Sequence, residues 1–154
     1  MLYIPPTNPD HYVSSIVALN IISPENTGDW HSSAALSQDA YPLEFYLYGK
    51  NQPKNTHHLL GQQGIIDGTQ RLNDMGYYPK HTPVWVADHP RACIDYLYYA
   101  VLKTNSIGCV ILDDWFPSDE DKRSVYTLID ALESNLTDYE RENLQLWKHK
   151  NPIM

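Results

Sequence analysis

Two short polar segments of this chain combine residue types that can transfer protons or bind ligands. Asp88 and His89 follow the apolar run 84–86 after a single alanine, and Asp113 and Asp114 follow the apolar run 107–112. Histidine is the side chain best suited to act as a general base near neutral pH, and a neighbouring carboxylate can orient it. Carboxylates at the tip of a strand are also typical Mg²⁺ ligands. The ligand-binding candidates in and beside these segments are Arg91, Asp113, Asp114 and Trp115.

A third segment, Asp29-Trp30-His31, repeats the combination of a carboxylate with an imidazole and adds an aromatic ring. Asp29 can charge or orient His31, and Trp30 can stack on a base or another ring. Asp29 is equally suited to cap a short helix over residues 30–37. If the protein is an enzyme, the catalytic candidates are therefore Asp29, His31, Asp88 and His89.

The elements around these segments predict that they share one edge of a sheet. Residues 84–86 and 107–112 are expected to form strands joined by a helix over residues 91–103, and such a crossover places two strands parallel. Further strands are expected over residues 13–22 and 43–48. Ligands in open α/β sheets bind outside the carboxyl ends of the strands.

Simpler structural roles are open for the same residues. Asp88 or His89 can cap the helix that Pro90 opens, and Arg91 and Asp95 are four residues apart, a spacing that allows an exposed pair worth a few tenths of a kcal/mol. The chain contains no glycine-rich phosphate-binding motif. Two adjacent aspartates have little specificity alone, so we predict no metal site, and the sequence leaves the identity of any cofactor unknown.

The remaining helices are marked by local signals. One is expected over residues 67–75, with Gly76 after its end, and two more begin at the caps Ser118 and Thr137. Residues 1–10, rich in proline, are expected to form an extended arm. We predict a single α/β domain over residues 1–154, with a small, mostly parallel sheet of about four strands and helices packed on it.

Composition restricts the possible partners. The 154 residues carry a formal net charge of −8, which repels nucleic-acid backbones and anionic membranes. No apolar run is long enough to span a bilayer and no secretion signal is evident, so we expect a cytoplasmic protein. Cys93 and Cys109 are expected to be buried structural thiols.

The preferred functional interpretation is a small acidic protein that binds and regulates or neutralises a protein partner, as antitoxins and immunity proteins do. The twelve tyrosines and four tryptophans favour it, because such side chains are enriched at protein interfaces. The expected partner has a basic surface, and the expected contact residues are Tyr77, Tyr78, Tyr139 and Trp147. The alternative is a small nucleotide-binding or NAD-consuming transferase-type enzyme with its site at the strand carboxyl edge.

Overall fold

The computed structural model describes residues 3–24 and 46–153. In this part of the chain a four-stranded sheet is built from β1 (His11–Val13), β2 (Leu47–Gly49), β3 (Ile65–Asp67) and β4 (Trp85–Ala87), in the order β2-β1-β4-β3. Strands β1 and β4 are parallel, whereas the two outer pairings are antiparallel. The predicted α/β class is confirmed, but the sheet is mixed and not mostly parallel.

Seven α-helices accompany this sheet in the described residues. They are α1 (Ser15–Leu19), α2 (His57–Leu60), α3 (Thr69–Asp74), α4 (His89–Leu97), α5 (Leu112–Trp115), α6 (Asp119–Leu132) and α7 (Asp138–Lys150). Helix α4 continues as a π-helical turn, Tyr98–Leu102. None of the helices in the described part of the chain is both long and apolar enough to cross a membrane.

The strand predicted over residues 13–22 is wrong beyond its first residue. The chain leaves β1 at Val13, bends at Ser15, whose φ is 60°, and enters α1. Val17, Ala18 and Leu19 are all buried. A fully buried apolar run has no polar face to reveal its period, so a helix and a strand cannot be told apart by pattern.

The strand predicted over residues 107–112 is also wrong. The chain forms a 3₁₀ turn at Ile107–Cys109 and then enters α5. Its backbone groups are bound by side chains of the C-terminal segment: the Trp147 indole donates to the Val110 carbonyl (2.9 Å), and the Leu112 amide donates to Asn151 Oδ1 (2.8 Å). Cys109 is consequently exposed, contrary to the prediction, whereas Cys93 is buried.

The helices predicted from capping signals are confirmed. Ser118 accepts from the Asp121 amide at the start of α6, and Thr137 and Glu140 form a reciprocal capping box at the start of α7. Helix α3 ends before Gly76, whose φ of 88° lets the chain turn back after the helix. Each signal lies within one turn of the helix end that it specifies, and for this reason sequence alone located these elements.

The sheet separates two apolar layers. Neighbouring residues of one strand face opposite layers, as Tyr12 and Val13 do in β1 and Ala87 and Val86 do in β4. The larger layer holds α4, α6 and α7. The smaller layer is made by residues in or directly beside the N-terminal arm, α1, α3 and the strands, namely Ile4, Val13, Val17, Ile21, Leu47, Leu72, Val84 and Val86.

Candidate functional site

Asp88 and His89 lie at the carboxyl end of β4, as predicted, and both are engaged in holding the fold. Asp88 is the N-cap of α4, where its Oδ1 accepts from the Arg91 amide at 2.9 Å. His89 is buried, and its Nε2 lies 2.7 Å from the Ile21 carbonyl oxygen. A carbonyl only accepts, so Nε2 carries the proton and donates it. This nitrogen is therefore not available as a general base.

Arg91 is fully buried and its five N–H donors are all occupied by protein atoms. Nε donates to Asp95 Oδ1 at 3.1 Å, and Nη1 donates to the carbonyls of Gly61 (2.9 Å) and Gln63 (2.6 Å). Nη2 donates to the hydroxyls of Tyr12 (3.0 Å) and Thr56 (2.8 Å). The guanidinium consequently has no donor left for a phosphate or carboxylate ligand.

The Asp95 carboxylate, also fully buried, is saturated in the same way. Its Oδ1 accepts from Thr56 Oγ1 (2.6 Å) and from Arg91 Nε, while Oδ2 accepts from Tyr12 Oη (2.7 Å) and Ser14 Oγ (2.6 Å). Four hydrogen bonds match the four acceptor positions of a carboxylate. Burial beside this charge raises the pKa of the Tyr12 hydroxyl well above its ordinary value.

We call Tyr12, Ser14, Thr56, Arg91 and Asp95 the buried polar hub. The hub joins β1, the start of α2 and α4, and Arg91 also holds the turn that precedes β3. The chain passes so close at Gly64 that an added Cβ would lie 2.7 Å from the Arg91 Cβ. The hub is closed to solvent and internally satisfied, so its role is structural.

The prediction that Arg91 and Asp95 pair on an exposed face is wrong. Their neighbours Ala92, Cys93 and Ile94 are apolar, and all of them are fully buried. A helix that is apolar on every side lies inside a protein. That composition is the sequence signal from which the burial of the ion pair could have been predicted.

A shallow polar cleft remains beside the hub. Asp88 and Pro90 line it with Arg71 and Ser124, in two adjoining hollows of about 220 and 270 Å³. Burial raises the pKa of Asp88, and hydrogen bonding from the Arg91 amide opposes that rise in part. The cleft thus presents two carboxylates, Asp121 and Asp88, of which Asp88 is already used as a helix cap.

Asp113 and Asp114 occupy the first turn of α5 instead of a strand tip, because residues 107–112 form no strand. Asp113 pairs with Lys122 at 2.6 Å, and Trp115 is 9% exposed and packs in the larger layer. No group of three or more metal-ligating side chains occurs within residues 3–24 and 46–153. The rim of parallel strands expected to unite Asp88 with Asp113 is not formed.

The segment Asp29-Trp30-His31 lies outside the described residues, and its predicted role is not tested. The larger part of the predicted strand 43–48 lies there too, while its last residues belong to β2.

An apolar groove in the described part of the chain is formed by the segment that follows α3. Tyr77 and Tyr78 line a groove of about 600 Å³ together with Tyr3 from the N-terminal arm. Tyr78 is 78% exposed and Tyr3 is 53% exposed. The floor and rim are completed by Ile4, Gly76, Pro79 and Lys80. We call these seven residues the aromatic groove.

The base of the aromatic groove is held by the smaller apolar layer. Ile4 is 3% exposed, and Tyr77 packs against the same layer. The Tyr3 ring meets His81 edge to face, with ring centroids 6.2 Å apart. The groove therefore combines anchored residues at its base with Tyr78, which is left open to solvent.

The other two predicted contact residues are placed differently. Tyr139 is 52% exposed in the first turn of α7, whereas Trp147 is fully buried and packs in the larger layer. Because α7 and the aromatic groove belong to layers on opposite faces of the sheet, the four residues do not form one surface. Tyr77 and Tyr78 alone share a concave site.

No protein-family model matches this chain, and no curated protein and no solved structure is significantly similar to it.

Proposed function

We propose that this protein binds a protein partner through the aromatic groove and thereby regulates or neutralises it. The observation that carries the proposal is the exposure of Tyr78 and Tyr3 on the walls of an apolar groove. Tyrosine gives a large contact area at a small cost in side-chain entropy, and aromatic anchors dominate the binding energy of protein interfaces. A volume of about 600 Å³ also lies within the range of roughly 300–1,000 Å³ that is typical of ligand pockets.

The proposed partner has a basic surface. The chain has nineteen acidic and eleven basic residues, and five of the acids fall within residues 113–121. Asp113 and Asp119 are exposed there, and Lys122 is the cation that contacts both. A negative field of this kind speeds the approach of a basic protein without fixing where it docks.

We further propose that the protein acts in the cytoplasm. Cys93 and Cys109 are free thiols, one buried and one exposed. An exposed free thiol is favoured in a reducing compartment.

Among the candidate site residues that the structure describes, the hydrogen bonds of Asp88, His89 and Arg91 support binding in preference to catalysis. Asp88 caps α4, the His89 Nε2 proton is donated to a backbone carbonyl, and Arg91 has no free donor. A general base must reach the proton that it abstracts. The Nε2 atom of His89 has no free lone pair for that purpose, and the Oδ1 atom of Asp88 is engaged as the helix cap.

Affinity capture from the native host tests the proposal, with Tyr78→Ser as the disruptive variant and Tyr139→Ser as its matched control. Both tyrosines are more than half exposed, so neither change should unfold the chain. We expect wild type and Tyr139→Ser to retain the same stoichiometric partner and Tyr78→Ser to lose it. Equal recovery by all three proteins, or recovery of no stoichiometric partner by wild type, would contradict the proposal.

A further inference from the structure

The charge of the aromatic groove differs from that of the rest of the protein. Lys80 supplies the one formal charge among the seven residues of the groove, and it is positive. Among the described residues, no carboxylate oxygen lies within the 4.0 Å ion-pair distance of Lys80 Nζ. In a chain of net charge −8, the groove therefore carries a positive charge that has no ion-pair partner within residues 3–24 and 46–153.

We propose that the groove binds a short segment of the partner in which a large apolar side chain is followed by a carboxylate. This inference rests on the proposed function and specifies its ligand. The apolar side chain packs between Tyr3 and Tyr78, and the carboxylate pairs with Lys80. The partner is thus attracted by its basic surface to the net negative charge of the chain, and it is acidic at the segment that enters the groove.

The physical reason for the pairing is the environment that docking creates. An exposed ion pair changes an affinity by only about a few fold, and an apolar neighbour that excludes water strengthens it. A lysine in place of the carboxylate would instead bring two ammonium groups together. The groove should accordingly discriminate between two segments that differ only in this charge.

Two pools of fluorescein-labelled octapeptides test the inference. Both carry Leu, Met, Phe or Trp at one fixed position, and the next residue is Glu in the first pool and Lys in the second. Fluorescence polarisation is measured with wild type and Lys80→Glu, and with Lys150→Glu as a matched change of an exposed lysine on α7. Tyr78→Ser serves to locate the binding.

We expect wild type and Lys150→Glu to bind the Glu pool about threefold more tightly or better, as an exposed ion pair of that size predicts. Lys80→Glu should reverse the preference, and Tyr78→Ser should bind neither pool.

Equal affinity for the two pools, an unchanged preference in Lys80→Glu, or no binding of either pool would overturn the inference. If the Tyr78-dependent capture of a native partner persists in those cases, the proposed function stands while its ligand chemistry is wrong. Sedimentation that shows a wild-type dimer, and a Tyr78→Ser monomer, would mean that a second copy of this chain occupies the groove.

Discussion

Replacement of Asp95 by asparagine tests the role of the buried polar hub. Asparagine has nearly the same volume and keeps one oxygen as an acceptor for Thr56 and Arg91. In place of the second carboxylate oxygen, the Nδ2 amide of asparagine can donate to the hydroxyls of Tyr12 and Ser14, which accept as readily as they donate. The change therefore conserves most hydrogen bonds and removes the negative charge.

The expected cost follows from the burial of Arg91. Both members of the ion pair are 0% exposed. Removing one partner leaves a buried charge without compensation, at a cost of about 3–5 kcal/mol. The free energy of unfolding of a domain is only about 5–15 kcal/mol, so Asp95→Asn should lose a large part of it.

Urea unfolding followed by circular dichroism and fluorescence measures this loss. The control is Asp113→Asn, because Asp113 pairs with Lys122 at 2.6 Å but its side chain is 77% exposed. An exposed ion pair contributes about 0–1 kcal/mol, so the free energy of unfolding of the control should be close to that of wild type. If Asp95→Asn also lost less than about 1 kcal/mol, with an unchanged dependence on urea, the structural role assigned to the hub would be refuted.

Three further predictions concern stability. Burial raises the pKa of Asp88 in the folded protein, so ionising its carboxyl group costs more in the folded state than in the unfolded state. The free energy of unfolding should therefore fall as the pH rises above 3.8, the ordinary pKa of an aspartate. Asp88→Asn keeps a capping oxygen but cannot ionise, so its free energy of unfolding should exceed that of wild type at pH 7 and equal it at pH 3. The same difference between the two proteins at both pH values would contradict this reasoning. Thr137→Ala removes half of the α7 capping box and should cost about 1 kcal/mol in urea unfolding, whereas Ser134→Ala, at an exposed position without a cap bond, should cost little. Trp147→Ala should cost about 3–5 kcal/mol, because the indole is fully buried and donates to Val110; a melting temperature near that of wild type would be inconsistent with its position in the core.

The elements that sequence predicted correctly are those specified by neighbouring residues. The caps Ser118 and Thr137 act within three residues of themselves, and Pro90 follows the cap of the helix that it helps to open. The strand near residues 84–86 was also identified, because it is a short β-prone run between turn signals. These features need no knowledge of the rest of the chain.

The errors arise where distant residues decide the structure. Residues 107–112 resemble a buried strand, but side chains of Trp147 and Asn151 bind their backbone and no strand pairs with them. The hub likewise depends on Tyr12 and Thr56, which lie 83 and 39 residues from Asp95. Partners so distant in sequence cannot be identified from the residues next to Asp95.

Two of the four predicted contact residues line one groove, whereas the prediction that they bind a partner stays a prediction. Tyr77 and Tyr78 follow a glycine turn and form the aromatic groove, but the participation of Tyr3 requires the N-terminal arm to lie beside residues 76–80. Trp147 has the same amphipathic chemistry and is buried instead, since it sits on the inner face of α7. Residue type alone does not distinguish these two positions.

Photo-crosslinking in the native host tests the central claim most directly. A benzophenone amino acid is placed at position 78 in one protein and at position 139 in another, so that two exposed positions in layers on opposite faces of the sheet are compared. We predict a covalent adduct with one partner protein from position 78 and none from position 139. An adduct from position 139 alone, or equal adducts from both positions, would contradict docking at the aromatic groove.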